Sequence, residues 1–351
     1  MATVAAYAAS AAGSPLTRTT IERRQPGPRD ITVEIRYTGI CHSDIHQARG
    51  DWGKGLFPMV PGHEIAGIVT EVGAEVTRHA VGDRVGVGVI VNSCRQCHNC
   101  ERGLEQYCAG GSVETYSDLD HYRGDEPTQG GYSTHIVVDE HFAHRIPEGL
   151  PLEQAAPLLC AGITTYSPLR RWNAGPGTRV AVLGMGGLGH LAVKIAHAMG
   201  AEVTVLSRSP DKRDDALRAG ADHYRTTDDP GTFEALARAF DLVLCTVSAP
   251  LDVDAHLSLL DTDGTMVYLG IPEKPLSVGV FSLLPGRRTL AGSQIGGMAE
   301  TARMLDFCAR HGIGADVEVV PAERINEAFE RVLAGDVRYR FVIDASTITP
   351  R

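Results

Sequence analysis

Lysine is scarce in this 351-residue sequence: Lys54, Lys194, Lys212 and Lys274 are all it has, and the rest of its positive charge is arginine. There is no basic excess either, because acidic residues outnumber basic ones and the formal net charge is -10. Neutralising nucleic-acid phosphates or an anionic membrane surface needs the opposite balance, so neither is an expected partner. No apolar run approaches the roughly 20 residues of a membrane span. The alanine-rich start from Ala2 to Ala12 lacks a basic segment and is interrupted by Tyr7 and Ser10, with Gly13 just beyond. It does not have the make-up of a secretory signal, and a cytoplasmic location is expected. Internal repeats, coiled-coil heptads and low-complexity tracts are also missing. In a reducing compartment the eight cysteines are not a disulfide framework.

What the cysteines do instead is suggested by their spacing. Cys94, Cys97, Cys100 and Cys108 form a C-x2-C-x2-C-x7-C run. Two-residue gaps let successive thiolates turn back toward one ion, which predicts a tetrahedral zinc lobe. Four thiolates close the coordination sphere, so this zinc is expected to build structure. His98 lies inside the lobe but is surplus to it.

The chain, at 37.5 kDa, is long enough for two domains. Up to about residue 150 it carries short runs such as Ile31 to Ile35 and Ile65 to Val72, bounded by turn signals such as Gly27-Pro28 and Gly82-Asp83, which predicts a β-rich domain. From Leu152 the texture becomes strand, glycine turn, helix. Strands are expected at Arg179 to Leu183, Glu202 to Leu206, Asp241 to Thr246 and Thr265 to Leu269, with a helix over Leu188 to Met199; together these predict an open parallel α/β sheet. The tail shows a helical stretch near Ala299 to Arg310 and a strand at Phe341 to Ile343, and pattern alone assigns it to neither domain. Gly110 to Gly131 is polar and glycine-rich and reads as an extended loop.

Gly184-Met185-Gly186-Gly187-Leu188-Gly189 supplies G-x-G-x-x-G directly after an apolar strand and before a helix. The first glycine permits the tight turn. The second lets backbone approach a pyrophosphate, the third allows close helix–strand packing, and the helix N-terminus faces the phosphates. An NAD site places an acidic residue at the end of the next strand to bind the ribose 2′-hydroxyl. Here Ser207-Arg208-Ser209 stands there, followed by Lys212 and Arg213. A hydroxyl and a guanidinium can bind a 2′-phosphate that a carboxylate would repel, so NADP(H) is expected over NAD(H).

Three other stretches hold the pieces of a second, open zinc site: Cys41-His42-Ser43-Asp44, Gly62-His63-Glu64 and Cys160. Two thiolates and one imidazole would leave a tetrahedral position for water or a substrate oxygen. Taken singly, Cys41 and Cys160 are more often small buried residues and His63 a hydrogen-bonded core histidine. Their order, however, is specific. Gly39 to Asp44, Pro58 to Glu64 with Gly67 and Gly73, the four-cysteine lobe, Pro157 to Gly162, the glycine turn and Val337 to Phe341 together resemble the zinc-containing medium-chain alcohol dehydrogenases. The resemblance is greater to the cinnamyl-alcohol-dehydrogenase-like branch of NADP-dependent aldehyde reductases, and it covers nearly the whole chain.

The resemblance implies a β-rich GroES-like catalytic domain over residues 1–151, a Rossmann NADP-binding domain over 152–290, and a return to the catalytic domain over 291–351. It implies two zinc ions per chain. Cys41, His63 and Cys160 would bind the catalytic one, with Glu64 beside it as an alternate ligand, and Asp44 would orient His63. Ser43 and His46 match the family's proton relay, and Thr164 a residue that packs on the nicotinamide. The family often has Arg after the first zinc cysteine, touching the pyrophosphate; this chain has His42, and Arg340 is a candidate to make that contact.

The implied reaction is reversible hydride transfer between NADP(H) and a primary alcohol or aldehyde, aromatic or medium-chain aliphatic, in a homodimer. Trp52, Leu56 and Met59 are candidate pocket residues. A polyol or secondary alcohol as substrate is the alternative within the same fold. The alternative from another class is a zinc ribbon that binds nucleic acid or protein beside a nucleotide-sensing module. The acidic net charge and the separate Cys41, His63 and Cys160 set both count against it.

Overall fold

The computed structural model describes residues 1–53 and 55–350. Two compact units emerge from it: residues 1–160 together with 296–351, and residues 161–295. The chain thus leaves the first unit at Cys160, later than the change of texture at Leu152, because the short turns between those positions stay on the first unit's sheet.

In the first unit, β1 (Ala2–Ala8) and β2 (Thr17–Arg23) form an antiparallel pair. β3 (Asp30–Gly39), β4 (Ile65–Val72) and β5 (Arg84–Val87) are the antiparallel centre of a larger sheet, and helix α1 (His42–Arg49) follows β3 directly. β3 buries Ile31, Val33 and Ile35 on one face and leaves Glu34 and Arg36 more exposed, the period-two alternation that the sequence shows. Next come β6 (Ile90–Asn92), α2 (His98–Glu101), β7 (Val113–Glu114), β8 (Leu119–Asp120) and β9 (Glu126–Pro127). The segment expected to be an extended loop therefore contains strands, pairing β6 with β7 and β8 with β9. They are only two or three residues long, too short to show alternation in sequence. β10 (His135–Asp139) pairs with β3 and β11 (Ala143–Arg145) with β5, and α3 (Leu152–Ala155) closes this stretch.

The second unit opens with α4 (Ala161–Arg171) and β12 (Arg179–Leu183), then α5 (Gly189–Ala198), β13 (Glu202–Ser207), α6 (Arg213–Arg218) and β14 (His223–Thr226). It continues through α7 (Gly231–Ala235), β15 (Phe240–Cys245), α8 (Val253–Leu257), β16 (Leu260–Tyr268) and β17 (Thr289–Gly292). Its six-stranded sheet is parallel throughout, in the order β14-β13-β12-β15-β16-β17. That is the doubly wound order of a dinucleotide-binding fold, with its switch point between β12 and β15. The central strands read as continuous apolar runs because both faces are covered: Val180 to Leu183 and Leu242 to Cys245 are all buried.

The tail belongs to the first unit. α9 (Met298–His311), β18 (Val317–Pro321), α10 (Ile325–Ala334) and β19 (Arg340–Asp344) complete it. α10 buries Ile325, Ala328, Phe329 and Val332, an i, i+3, i+4, i+7 stripe, and ends on Gly335 in the left-handed region. β19 enters the large sheet beside β3, giving the order β11-β5-β4-β3-β19-β18. This insertion brings a residue numbered 340 to a site begun at residue 41.

Candidate metal and cofactor sites

The four-cysteine lobe is built by local turns. Cys94 follows β6, Cys97 caps α2, Cys100 lies within it, and Cys108 follows a short 3-10 turn. All four Sγ atoms lie within 4.8 Å of one another, with Cys97–Cys100 at 3.6 Å and Cys94–Cys100 at 3.9 Å. A tetrahedral zinc with Zn–S near 2.3 Å requires sulfur separations of roughly 3.8 Å, so the set fits that ion. Backbone N–H groups of Cys94 and Ala109 point at Cys108 Sγ (3.4 Å) and Cys97 Sγ (3.3 Å). Backbone donors from Ala109 and Cys100 bring the Cys97 thiol down to about 6. His98 is exposed, 3.3 Å from the Arg102 guanidinium, and outside the set. The lobe is anchored to the tail: Glu105 accepts from the Met298 backbone N–H at 3.0 Å and lies 3.2 Å from His141 Nε2.

The second set joins three distant segments. Cys41 is the N-cap of α1, His63 and Glu64 precede β4, and Cys160 ends the first unit's main segment. Their ligand atoms lie within 4.8 Å of one another; Cys41, His63 and Glu64 are buried and Cys160 is partly buried. Hydrogen bonds fix the segments: Gly39 N–H to the Glu64 carbonyl and Ile40 N–H to the Phe341 carbonyl, both 2.9 Å. Gly39 matters here because a Cβ on it would collide with the Glu64 carboxylate.

His63 Nδ1 lies 3.1 Å from Asp44 Oδ1, which leaves Nε2 for a metal. Although burial opposes it, the charge and hydrogen bond of Asp44, with a further contribution from Cys41, hold the His63 imidazole well above its usual value. Cys41 is held well below the ordinary thiol value, first by its hydrogen bond with Cys160 and also by His63. Burial raises the Glu64 carboxyl to about 7 against the pull of Arg340. Glu64 Oε1 accepts from Arg340, while Glu64 Oε2 is buried with no hydrogen-bond partner. An orphaned carboxylate oxygen beside two thiols and an imidazole is a donor set that fits zinc. Arg340 is 4% exposed and paired here with Glu64, the position that β19 dictates.

Ser43 and His46 stand on α1. Ser43 Oγ is 3.6 Å from Cys41 Sγ. His46 Nδ1 is 2.9 Å from Asp51 Oδ2, and its ring stacks on Trp52 with centroids 5.2 Å apart. His42 is exposed at the first turn of α1, whereas Met59 is 1% exposed and pairs its backbone with Ala9. Met59 is therefore part of the core. Sequence reasoning missed Tyr116 and Tyr132, both buried against Asp44. They sit among irregular segments where no period marks them.

In the second unit Gly184 has φ +90, and a Cβ there would come within 2.5 Å of Val247. A Cβ on Gly189 would strike the Gly184 carbonyl, whereas one on Gly186 would meet nothing within 4 Å. Tight turn, open approach and close helix contact are the three roles that a pyrophosphate cradle requires. Gly187 and Leu188 complete the turn ahead of α5. Ser207 ends β13, Arg208 beyond it is exposed, and the Ser209 carbonyl accepts from Tyr224 OH. Lys212 follows on a 3-10 turn, and Thr164 is buried on α4. The loop after β13 thus offers a hydroxyl and a guanidinium where an NAD site has its acid.

A β-rich unit holding an open and a closed sulfur-rich site, together with a dinucleotide-binding sheet, defines a metal- and nicotinamide-dependent dehydrogenase architecture. The chain belongs to the zinc-containing medium-chain alcohol dehydrogenases, in the cinnamyl-alcohol-dehydrogenase-like branch: residues 27–148 match the alcohol dehydrogenase GroES-like domain and residues 187–310 the zinc-binding dehydrogenase family. It is 61% identical over 349 residues to the NADP-dependent alcohol dehydrogenase C 1 of Mycolicibacterium smegmatis, covering 99% of each chain. It is also similar to the solved cinnamyl alcohol dehydrogenase 4 of Sorghum bicolor, at 43% identity and TM-score 0.96, covering 100% of this chain and 99% of that one. The Helicobacter pylori cinnamyl alcohol dehydrogenase complexed with NADP(H) aligns at 40% identity and TM-score 0.93, covering 99% of each.

Proposed function

We propose that this protein is an NADP(H)-dependent zinc alcohol dehydrogenase that interconverts primary aldehydes and alcohols, aromatic (cinnamyl or benzyl type) or medium-chain aliphatic. The convergence of Cys41, His63, Glu64 and Cys160 carries this reading. When bound, a zinc ion polarises a carbonyl oxygen and NADP(H) exchanges the hydride. Cys41, His63 and Cys160 hold the catalytic ion, with Glu64 in reserve as a ligand and Arg340 holding Glu64. The four-cysteine lobe holds a second, structural ion. Asp44 fixes the His63 ring. The Ser43 hydroxyl gives a proton to the alcohol oxygen as it forms and regains one by relay from His46, which takes its own from water, its Nδ1 engaged by Asp51. Thr164 packs on the nicotinamide.

The test is a panel of aldehydes and alcohols with both cofactors on metal-analysed protein. Two zinc ions per chain and fastest turnover of primary aldehydes with NADPH are expected; dominance of polyols or secondary alcohols would reassign the substrate class. His46→Ala is expected to lower turnover roughly 10^2-fold. Turnover unchanged from the wild type would remove His46 from the relay. Arg208→Ala should raise KM for NADPH about 10- to 100-fold, the loss of one charge-assisted contact, and leave KM for NADH nearly unchanged. A wild-type preference for NADH would sink the 2′-phosphate assignment.

A homodimer is the assembly we favour. Ile271, Leu276, Val280, Phe281 and Leu284 are between 40% and 85% exposed, and their segment leads into β17, the edge strand of the parallel sheet. A cluster of this kind beside an unpaired edge is what a partner copy covers. Sedimentation at the 37.5 kDa mass of one chain would exclude it. Among the described residues no helix is long and apolar enough to cross a membrane.

A further inference from the structure

We infer that Tyr132 is a positioning residue for the catalytic metal centre, anchoring through Asp44 the orientation of the His63 ring. The inference rests on the reading of Cys41, His63 and Cys160 as a zinc site. Asp44 is fully buried and accepts on both oxygens. Oδ2 receives the Cys41 backbone N–H at 2.9 Å and the Tyr132 hydroxyl at 3.0 Å. Oδ1 receives the Gly62 backbone N–H at 3.2 Å and lies 3.1 Å from His63 Nδ1. An ionised carboxylate has about four acceptor positions, and these four donors, two on each oxygen, fill them. Tyr116 is buried in the same surroundings, and its ring stacks on His63 with centroids 5.8 Å apart.

The donors are not equivalent. Cys41, Gly62 and His63 belong to the ligand-bearing segments, so their bonds make Asp44 part of those segments without fixing them to anything else. Tyr132 comes from elsewhere and is itself held firmly. Its carbonyl accepts from Tyr7 N–H at 2.8 Å, and its own N–H donates to the Pro61 carbonyl at 2.9 Å. Its ring meets Phe329 of α10 edge-on at 6.3 Å. The buried Arg23 guanidinium binds the loop on both sides of it, donating to the carbonyls of Gln129, Gly130 and His135 and to Ser133 Oγ. Gly62 makes room: at φ +108, a Cβ there would lie 2.6 Å from the Tyr132 ring. The hydroxyl therefore ties Asp44 to a frame built from β1, β2 and α10. With Asp44 fully buried, loss of that donor frees the carboxylate to rotate and the His63 ring to follow.

Tyr132→Phe removes only the hydroxyl, and the measurements are made on the full metal-loaded chain. The catalytic site should lose zinc to a chelator at up to about 10-fold lower competitor strength, the low end of the cost of removing a direct partner of a metal-binding histidine, because Tyr132 acts one bond further out through Asp44. The four-cysteine site in the same sample should keep its zinc unchanged. After cobalt substitution, the visible d–d bands should shift in position or intensity. In an Asp44→Asn background the effect of Tyr132→Phe should largely vanish, because it acts through Asp44. Equal loss from both metal sites, additive effects in the double variant, or wild-type metal retention with an unchanged cobalt spectrum would each overturn the inference. A wild-type chain that binds only one metal ion would instead overturn the reading of the catalytic site itself.

Discussion

Cys41→Ser is expected to lower kcat/KM for aldehyde reduction at least about 10^3-fold, equivalent to about 4 kcal/mol of transition-state stabilisation. Metal content should fall from two ions per chain to one, while the melting temperature stays near that of the wild type. Cys41, His63 and Cys160 supply two thiolates and one imidazole, and Glu64 is already engaged by Arg340 through one oxygen. A serine hydroxyl at position 41 is a poor zinc ligand, and a site reduced to one sulfur and one nitrogen binds weakly. Because Cys41 is the N-cap of α1, a fold effect must be separated from a metal effect. Asp44 accepts from the backbone N–H of residue 41, which serine retains, so the helix start survives the substitution. Retention of more than a tenth of wild-type turnover, or loss of both ions, would contradict the assignment.

The second large effect is of the opposite kind. Cys97→Ser removes one ligand of the closed lobe and is expected to cost about 4 kcal/mol of stability, lowering the melting temperature of a unit this size by roughly 10 °C. Glu105 ties the lobe to the start of α9, so its loosening should also release the tail helix to proteolysis. Turnover per folded molecule should change little. A variant that melts like the wild type but has lost hydride transfer would refute this separation of roles. In both experiments the metal content of the same sample is the readout that distinguishes the two sites.

The lobe was legible in sequence because its four ligands are close neighbours along the chain. The turns that gather Cys94, Cys97 and Cys100 are fixed by short-range geometry, and nothing beyond residue 108 is needed to see the cluster. The same holds for Gly184 to Gly189, where strand, turn and helix are consecutive and each glycine answers a local steric demand. The short strands between residues 110 and 131 were not legible: they persist through pairing and neighbouring contacts, and contain too few residues to carry a period.

Arg340 shows the other limit. From the sequence Arg340 is a candidate contact for the cofactor pyrophosphate; in the structure it is buried against Glu64. Only the antiparallel pairing of β19 with β3, which sets Val342 opposite Gly39, explains how it arrives there. Tyr116 and Tyr132 became visible only once the loops that carry them were packed on Asp44. Ligand chemistry, the cofactor turn and, through the family resemblance, the grouping of residues 41, 63, 64 and 160 can be read from the chain, because side-chain identity and local spacing belong to it. That Tyr132 and Arg340 join that centre follows from tertiary structure. Sheet register sets distances between segments far apart in sequence, and the burial it produces raises Glu64, leaves its second oxygen unpartnered and holds Asp44 in place.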